Sequence, residues 1–364
     1  MRWKNIPLLD KSKLRPDVLR LIEQSEKQQI QGAMEFLKIK ENRGFKLQAY
    51  LKKIGEENER YFRGFSNKKG TLDDFYGVFT DEEMQTLAKF YRFAVNYSIE
   101  LQLKQHSLPE DVRIEEVDAG GVPGEWQIVP GADDNKVILY FHGGGMVLMS
   151  PKTHRALTIK IAQLTNMHVL SIDYRLAPEY SFPAPLEDCL TAYKWLLSKG
   201  FNSKNIILAG DSAGGNLVLS TLIKLRDDGN DLPIGAVALS PATDFTNKSK
   251  TIYENAKTDP ILADIGIFWW TTSYLSGADP ENPLISPLFA DLSGLPPILV
   301  QVSTSEMLYD HSTRFVERAK AAGVKAILQE WKDMIHVFQG FGLYDLPEAK
   351  EAINEISKFI KTLF

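Results

Sequence analysis

Asn205-Ile206-Ile207-Leu208-Ala209-Gly210-Asp211-Ser212-Ala213-Gly214-Gly215-Asn216-Leu217-Val218-Leu219 is the stretch that decides the reading of this chain. An apolar run ends at Ala209, a glycine-bounded hexapeptide follows, and a second apolar stretch begins at Leu217. That layout predicts strand, sharp turn, helix. A serine on such a turn has its hydroxyl pushed clear of the backbone, at the end of a sheet. The flanking glycines are required because a side chain there would collide with a neighbouring strand or helix.

Outward from this turn, strands alternate with helices. Strands are predicted at Val112–Val117, Gly124–Val129, Lys136–Phe141, His168–Tyr174, Asn205–Gly210, Ile234–Leu239, Pro297–Val302 and Ala326–Trp331. Helices are predicted between most of them, at Thr153–Leu164, Leu186–Lys199, Ala213–Asp227, His311–Ala322 and Pro347–Leu363. Continuous apolar strands joined by helices imply an α/β fold, with a mostly parallel eight-stranded sheet covered on both faces. The segment Thr243–Pro297 is too long for a simple connection and carries its own helical pattern at Ile265, Phe268, Trp269, Thr272 and Tyr274.

The character changes near residue 107. Residues 1–106 read as helical and charged, with apolar periodicity over Asp17–Leu37, an interruption at Gly44, and a second helix over Phe45–Phe62. Asn67–Gly70 reads as a polar turn. Thr80 with Glu83 three residues on forms a capping box for a helix running to about Leu103. The expected organisation is an N-terminal helical region, 1–106, and a catalytic domain, 107–364, with an insert at about 245–285.

Composition bounds the function. The 364 residues include 44% hydrophobic and 24% charged residues, ordinary values for a globular enzyme. A net charge of −5 argues against nucleic-acid binding. The single cysteine, Cys189, excludes an intrachain disulfide and reads as a buried structural thiol. Met1–Asp10 has no sustained apolar stretch and no segment approaches a membrane span, so a cytoplasmic protein is expected. No G-x-G-x-x-G or G-x-x-x-x-G-K-[ST] loop is present and no metal-ligand cluster is visible, so neither cofactor nor metal is expected.

A strand–G-x-S-x-G–helix passage resembles the nucleophile elbow of α/β-hydrolases, where acid and histidine follow the serine in chain order. Acyl transfer needs a base, an acid to orient it, and donors for the oxyanion. His336 stands after the last strand. Of the other five histidines, His106 falls in the linker, His142 in a glycine loop, His154 at a helix, His168 at a strand, and His311 beside a helix start. Glu306 closely follows the strand Pro297–Val302 and is the expected acid. Asp310 is the runner-up, better placed as N-cap of the helix it precedes, and Asp333 sits too near His336 in sequence. The oxyanion donors are expected from the Ala213 amide and from glycine amides within Phe141-His142-Gly143-Gly144-Gly145-Met146, with His142 anchoring the glycine turn.

Taken together, His142-Gly143-Gly144-Gly145, Asp173-Tyr174-Arg175-Leu176-Ala177-Pro178-Glu179, Gly210-Asp211-Ser212-Ala213-Gly214, Glu306-Met307-Leu308-Tyr309-Asp310 and His336-Val337-Phe338 resemble the hormone-sensitive-lipase-like branch of the α/β-hydrolases. The resemblance covers about residues 108–364. It implies a Ser212–His336–Glu306 triad, with Glu306 where most members have aspartate, and oxyanion amides at Gly144, Gly145 and Ala213. It also implies a carboxylesterase acting on short to medium acyl esters. An interfacial lipase or lysophospholipase, or an amide or N-acetyl hydrolase with the same triad, are the alternatives. The plant gibberellin receptors resemble this branch and lack the histidine, so His336 favours an enzyme over a ligand-binding protein. Arg175 and Asp173 are expected to fix the loop beside the glycine turn. Residues 1–106 and the insert should pack together as an enlarged cap, whose Phe268, Trp269, Trp270 and Tyr274 either line an acyl pocket or form the cap's own core. Self-association, as a homodimer for instance, is left open.

Overall fold

One sheet of eight strands carries the site: β1 Arg113–Asp118, β2 Pro123–Ile128, β3 Val137–Phe141, β4 His168–Ile172, β5 Ile206–Asp211, β6 Gly235–Leu239, β7 Ile298–Ser303 and β8 Ala326–Trp331. In the computed structural model they lie in the order β1-β2-β4-β3-β5-β6-β7-β8. The β1–β2 and β2–β4 pairs are antiparallel and the remaining pairs parallel. The structure describes residues 9–42, 44–66, 72–105, 108–265, 267–341 and 346–364. The turn expected at Asn67–Gly70, the histidine at 106 and the chain before residue 9 lie outside them.

Strands β3, β5, β6 and β7 are buried along their whole length. Each reads as an unbroken apolar run because both of its faces meet helices. The alternation of side chains along β3 shows how. Val137, Leu139 and Phe141 join one cluster with α5 (Ala184–Ser198), α6 (Ala213–Asp227) and α10 (Tyr309–Ala321). Ile138 and Tyr140 join another with α4 (Pro151–Thr165) and α11 (Pro347–Lys361). All eight strands and all five of these helices lie within a few residues of where their sequence patterns put them.

Before the sheet come α1 (Pro16–Lys38), α2 (Leu47–Ser66) and α3 (Asp81–Gln105). The start of α3 is the expected reciprocal cap: Glu83 N–H donates to Thr80 Oγ1 at 3.2 Å, and Thr80 N–H to Glu83 Oε2 at 2.9 Å. The insert between β6 and β7 holds three short helices, α7 (Thr251–Glu254), α8 (Leu262–Ile265) and α9 (Ile267–Leu275). An apolar cluster joins these two regions, with Phe36, Phe90 and Tyr91 meeting Phe268, Trp269 and Trp270. Tyr91 stacks on Trp269 at 5.7 Å between ring centroids. The four insert aromatics therefore divide. Phe268 and Trp269 pack in this cluster, Tyr274 belongs to the core beneath the sheet, and Trp270 also lines a cavity beside Ser212. Among the described residues no helix is long and apolar enough to cross a membrane.

The elbow joins β5 to α6 at very close quarters to β3. A Cβ built on Gly214 would fall 1.9 Å from the Phe141 carbonyl oxygen, and one on Gly210 would fall 2.6 Å from the Gly214 carbonyl oxygen. Both obstacles are backbone and cannot swing aside. Gly214→Ala is expected to lower the unfolding free energy by about 3 kcal/mol or more, the upper range for overpacking a rigid site. Urea denaturation followed by circular dichroism measures this; a shift under about 1 kcal/mol would contradict the packing described.

Candidate active site

Ser212 is held at φ 52°, ψ −115°, a conformation that costs a non-glycine residue of order 1–3 kcal/mol. Backbone bonds on both sides impose it. Ser212 N–H donates to Leu239 O at 2.7 Å, while the Ser212 carbonyl accepts from Asn216 and Ala242 N–H at 3.0 and 3.3 Å. The strain presents the hydroxyl at the carboxyl end of the sheet.

His336 lies within reach. Its Nε2 is 2.9 Å from Ser212 Oγ, and its Nδ1 is 2.6 Å from Glu306 Oε2. The carboxylate accepts a hydrogen bond from Nδ1–H, which fixes the tautomer and leaves Nε2 free to accept the serine proton. The second Glu306 oxygen accepts from Ser240 Oγ at 2.9 Å and from Ser303 N–H at 2.8 Å. Glu306 is fully buried and His336 only 5% exposed. Burial alone depresses the imidazole. The Glu306 carboxylate, helped by the more distant Asp259 and Asp211, outweighs it and raises the His336 pKa above its ordinary value.

The competing carboxylates stand elsewhere. Asp310 does not cap its own helix, as its position before His311 suggested. It lies in the first turn of α10 and reaches back to the start of α7. There it accepts from Lys250 N–H at 2.8 Å, from the Thr251 hydroxyl at 2.7 Å and from the Ser249 hydroxyl. The exposed amides of the small helix attract the carboxylate more than its own helix end does. Asp333 is half exposed and 4.0 Å from Lys332.

The glycine loop follows β3. Gly144 and Gly145 adopt φ of 115° and 64°, and a Cβ on Gly145 would meet the Trp270 indole at 2.7 Å. Gly145 and Ala213 line the cavity beside Ser212, whereas the Gly144 carbonyl closes the loop by accepting from Val147 and Leu148 N–H at 3.1 and 2.8 Å. The amide of Ala213 opens α6, where first-turn N–H groups lack an intrahelical acceptor. His142 is buried, with Nδ1 donating to Gly143 O at 2.8 Å, and burial drives its pKa down to about 3. It serves the loop as a neutral ring stacked on Tyr174 at 4.2 Å.

The Asp173–Glu179 stretch holds this loop through other residues than expected. Arg175 pairs with Asp188 at 2.7 Å and Glu187 at 3.3 Å on α5, away from the glycine turn. Asp173 is half exposed and 4.0 Å from His142 Nε2. Contact comes from Tyr174, whose hydroxyl donates to His142 O at 2.6 Å. It also comes from Glu179, which forms a bidentate pair at 2.8 Å with Arg92 of α3. Arg92 donates as well to Val147 O at 2.7 Å and Ala177 O at 2.8 Å, so the N-terminal helix grips the glycine loop.

Asp211 forms another unforeseen network. It is 2% exposed and accepts from Tyr140 Oη at 2.7 Å and Gly143 N–H at 3.1 Å, with His154 Nε2 at 3.3 Å. Burial opposes charging His154, but the Asp211 carboxylate prevails and raises its pKa. His311 is also structural: Nδ1 accepts from Thr243 and Asp244 N–H at 3.2 and 3.3 Å. His168 pairs with Asp134 at 3.0 Å. Among the described residues, no cluster of His, Cys, Asp or Glu could hold a metal ion.

Comparison with known proteins agrees with this geometry. Residues 138–340 match the family described as alpha/beta hydrolase fold. The chain is 38% identical to an esterase of Acinetobacter venetianus over 69% of its own length and 83% of the relative's. It is 37% identical to an acetyl-hydrolase of Streptomyces hygroscopicus over 68% and 82%. A crystal structure of an esterase from the bacterial hormone-sensitive lipase family superposes with a TM-score of 0.72, at 40% identity, covering 85% of this chain and 98% of that one. The chain belongs to the alpha/beta hydrolase fold family, in its hormone-sensitive-lipase-like branch. Its enzyme class is that of the ester hydrolases.

The raised His336 pKa is directly testable. Titrated by NMR, the His336 ring protons should report a midpoint above the ordinary value of about 6.5. Glu306→Gln removes the anion that favours the imidazolium, so burial then dominates and the midpoint should fall. An unchanged midpoint would place the stabilising charge elsewhere.

Proposed function

We propose that this protein hydrolyses carboxylic esters of short acyl chains through a Ser212 acyl-enzyme. The observation that carries the reading is the unbroken line Ser212–His336–Glu306, with contacts of 2.9 and 2.6 Å. In the first half-reaction Ser212 Oγ attacks the ester carbonyl while His336 Nε2 takes its proton. The tetrahedral intermediate collapses as the imidazolium returns that proton to the leaving alcohol. Water then repeats the cycle on the acyl-enzyme, giving the carboxylic acid and free serine. Glu306 holds the ring and stabilises its cation without itself taking the proton.

The amides of Gly144, Gly145 and Ala213 are assigned to the oxyanion, each worth about 2.7–4 kcal/mol by analogy with measured donors. Glycine at 145 leaves the loop backbone bare against the indole of Trp270. Residues 1–106 and the insert are assigned together as the cap, on the strength of their shared apolar cluster.

The acyl group is assigned to the cavity of about 60 Å³ lined by Ser212, Ala242, Ile252, Leu262, Trp270 and Leu308. Such a small space beside Ser212 suits a short acyl group. That favours acyl groups of the acetyl-to-butyryl class over the long chains of an interfacial lipase.

Ser212→Ala should abolish turnover of p-nitrophenyl butyrate, and a retained rate would remove the acyl-enzyme. Glu306→Gln should lower kcat by about 10³–10⁴, the scale seen for losing a triad carboxylate. Asp310→Asn should stay within about tenfold of the parent, because its carboxylate supports a helix start. The reverse ranking would move the acid to Asp310. Trp270→Ala enlarges the pocket. In an acetate-to-palmitate series it should raise kcat/KM for octanoate relative to butyrate by about tenfold or more; an unshifted preference would relocate the acyl site.

A further inference from the structure

The turn that carries Glu306 is bound along its length by the insert, and the insert does so with side chains. Asn255 Nδ2 donates to Thr304 O at 3.0 Å and to Glu306 O at 2.9 Å. Thr258 Oγ1 donates to Ser305 O at 2.9 Å. Thr251 Oγ1 shares its single proton between Asp310 and Met307 O, the latter at 2.9 Å. Four consecutive carbonyls, 304 to 307, thus accept from one short segment. The segment also accepts in return: Met307 N–H donates to Asp259 Oδ2 at 2.9 Å.

Asp259 is fully buried, and its other oxygen accepts from Ile261 and Leu262 N–H, both at 3.0 Å. It therefore fixes the path of the insert and of the acid turn at once. The start of the segment is anchored by Asp310, and Lys257 O accepts from Asp10 N–H at 2.8 Å, beyond α1 at the chain's beginning. Glu306 and Met307 are themselves fully buried, so their carbonyls have no water to fall back on. Without the insert seated, these carbonyls lose their side-chain donors, and Glu306 O keeps only Tyr309 N–H at 3.2 Å.

We propose that Thr251–Asp259 is a strap that positions the triad acid. Asn255, Thr258 and Asp259 set the place and angle of the Glu306 carboxylate, and through it the imidazole of His336. They are positioning residues, since none touches the reacting atoms. The inference rests on the triad reading above. Ser240 Oγ and Ser303 N–H hold the carboxylate head, while the strap holds the backbone from which it hangs. A contact of 2.6 Å to Nδ1 tolerates little displacement, and misplacement of about 1 Å can cost on the order of 10² in rate.

Asp259 adds an electrostatic signature. The charged or titratable groups that bear on His336 are Glu306, Asp259, Asp211 and His311. Removing the Asp259 charge withdraws one anion favouring the imidazolium. The protonated, inactive form should then persist only to lower pH.

The test combines kinetics with a double-variant cycle on the full chain, using p-nitrophenyl butyrate. Asn255→Ala and Thr258→Val should each lower kcat by about tenfold to a hundredfold, with KM within about twofold. Thr258→Val is nearly isosteric, so it keeps the test alive should Asn255→Ala fold poorly. Thr258→Ser should restore the rate. Asp259→Asn should shift the acid limb of the kcat/KM profile to lower pH. Added to Glu306→Gln, Asn255→Ala and Thr258→Val should cost little more, because the group they position is already disabled. Unchanged kcat in folded strap variants, or full additivity with Glu306→Gln, would overturn the strap while leaving the triad intact. If Glu306→Gln alone retains activity, the triad reading fails and the strap falls with it.

Discussion

The closeness of α6 to β3 is the constraint from which the site follows. A Cβ on Gly214 has only 1.9 Å to the Phe141 carbonyl oxygen, so glycine there lets the elbow lie against the end of β3. Phe141 is also the last residue before the glycine loop. The same approach sets the end of β5 beside the loop, so Ser212 and Gly145 line one cavity. Asp211 secures the junction by accepting from both Tyr140 of β3 and Gly143 of the loop. The elbow and the loop thereby become parts of one joint, and on the proposed reaction that joint supplies the preorganisation an oxyanion needs.

Buried charge around this joint is arranged in opposed pairs. Asp211 faces His154, and Glu306 faces His336, each pair out of water. Ion pairs in such places rarely add stability, because desolvation of both partners offsets their attraction. Their value here is directional. His154 is a buried partner for Asp211, so the carboxylate next to Ser212 stays occupied with structure. The neighbouring ring, His142, is held neutral with a pKa of about 3. One imidazole near the serine remains placed to exchange its proton. The division of labour among histidines follows from burial and partner, not from residue type.

Much of this was legible because it is local. Strands such as β3 and β5 announce themselves as apolar runs, and the elbow is written in consecutive residues. Chain order singled out His336 and Glu306 before any distance was known, and the two stand in contact. What stayed hidden is carried by contacts between residues far apart in sequence. Nothing around Arg92 signals that it will bind Val147 O and Ala177 O, since those partners exist only once α3 lies on the loop. Asp310 misled for the same reason: next to a helix start, local rules favour a cap, but the nearer bare amides belonged to α7. Arg175 likewise found its partners on α5, where folding placed Asp188. The insert aromatics could not be apportioned because their periodicity marks only that a face is buried, not what lies against it.

The insert's dual attachment limits how the site can open. It roofs the cavity through Ile252, Leu262 and Trp270, and it also holds the acid turn through Asn255, Thr258 and Asp259. A rigid swing of the whole insert would break those hydrogen bonds. With about 1 kcal/mol each in net terms, and more where a buried carbonyl is left bare, that motion is expensive. It would also release Glu306 at the moment substrate arrives. Trp270 carries no such bond and lies on Gly145 at the loop's edge. On the proposed triad, a side chain that moved while the strap stayed seated would admit ester and keep the proton relay assembled, which is the arrangement a multi-turnover acyl transfer needs.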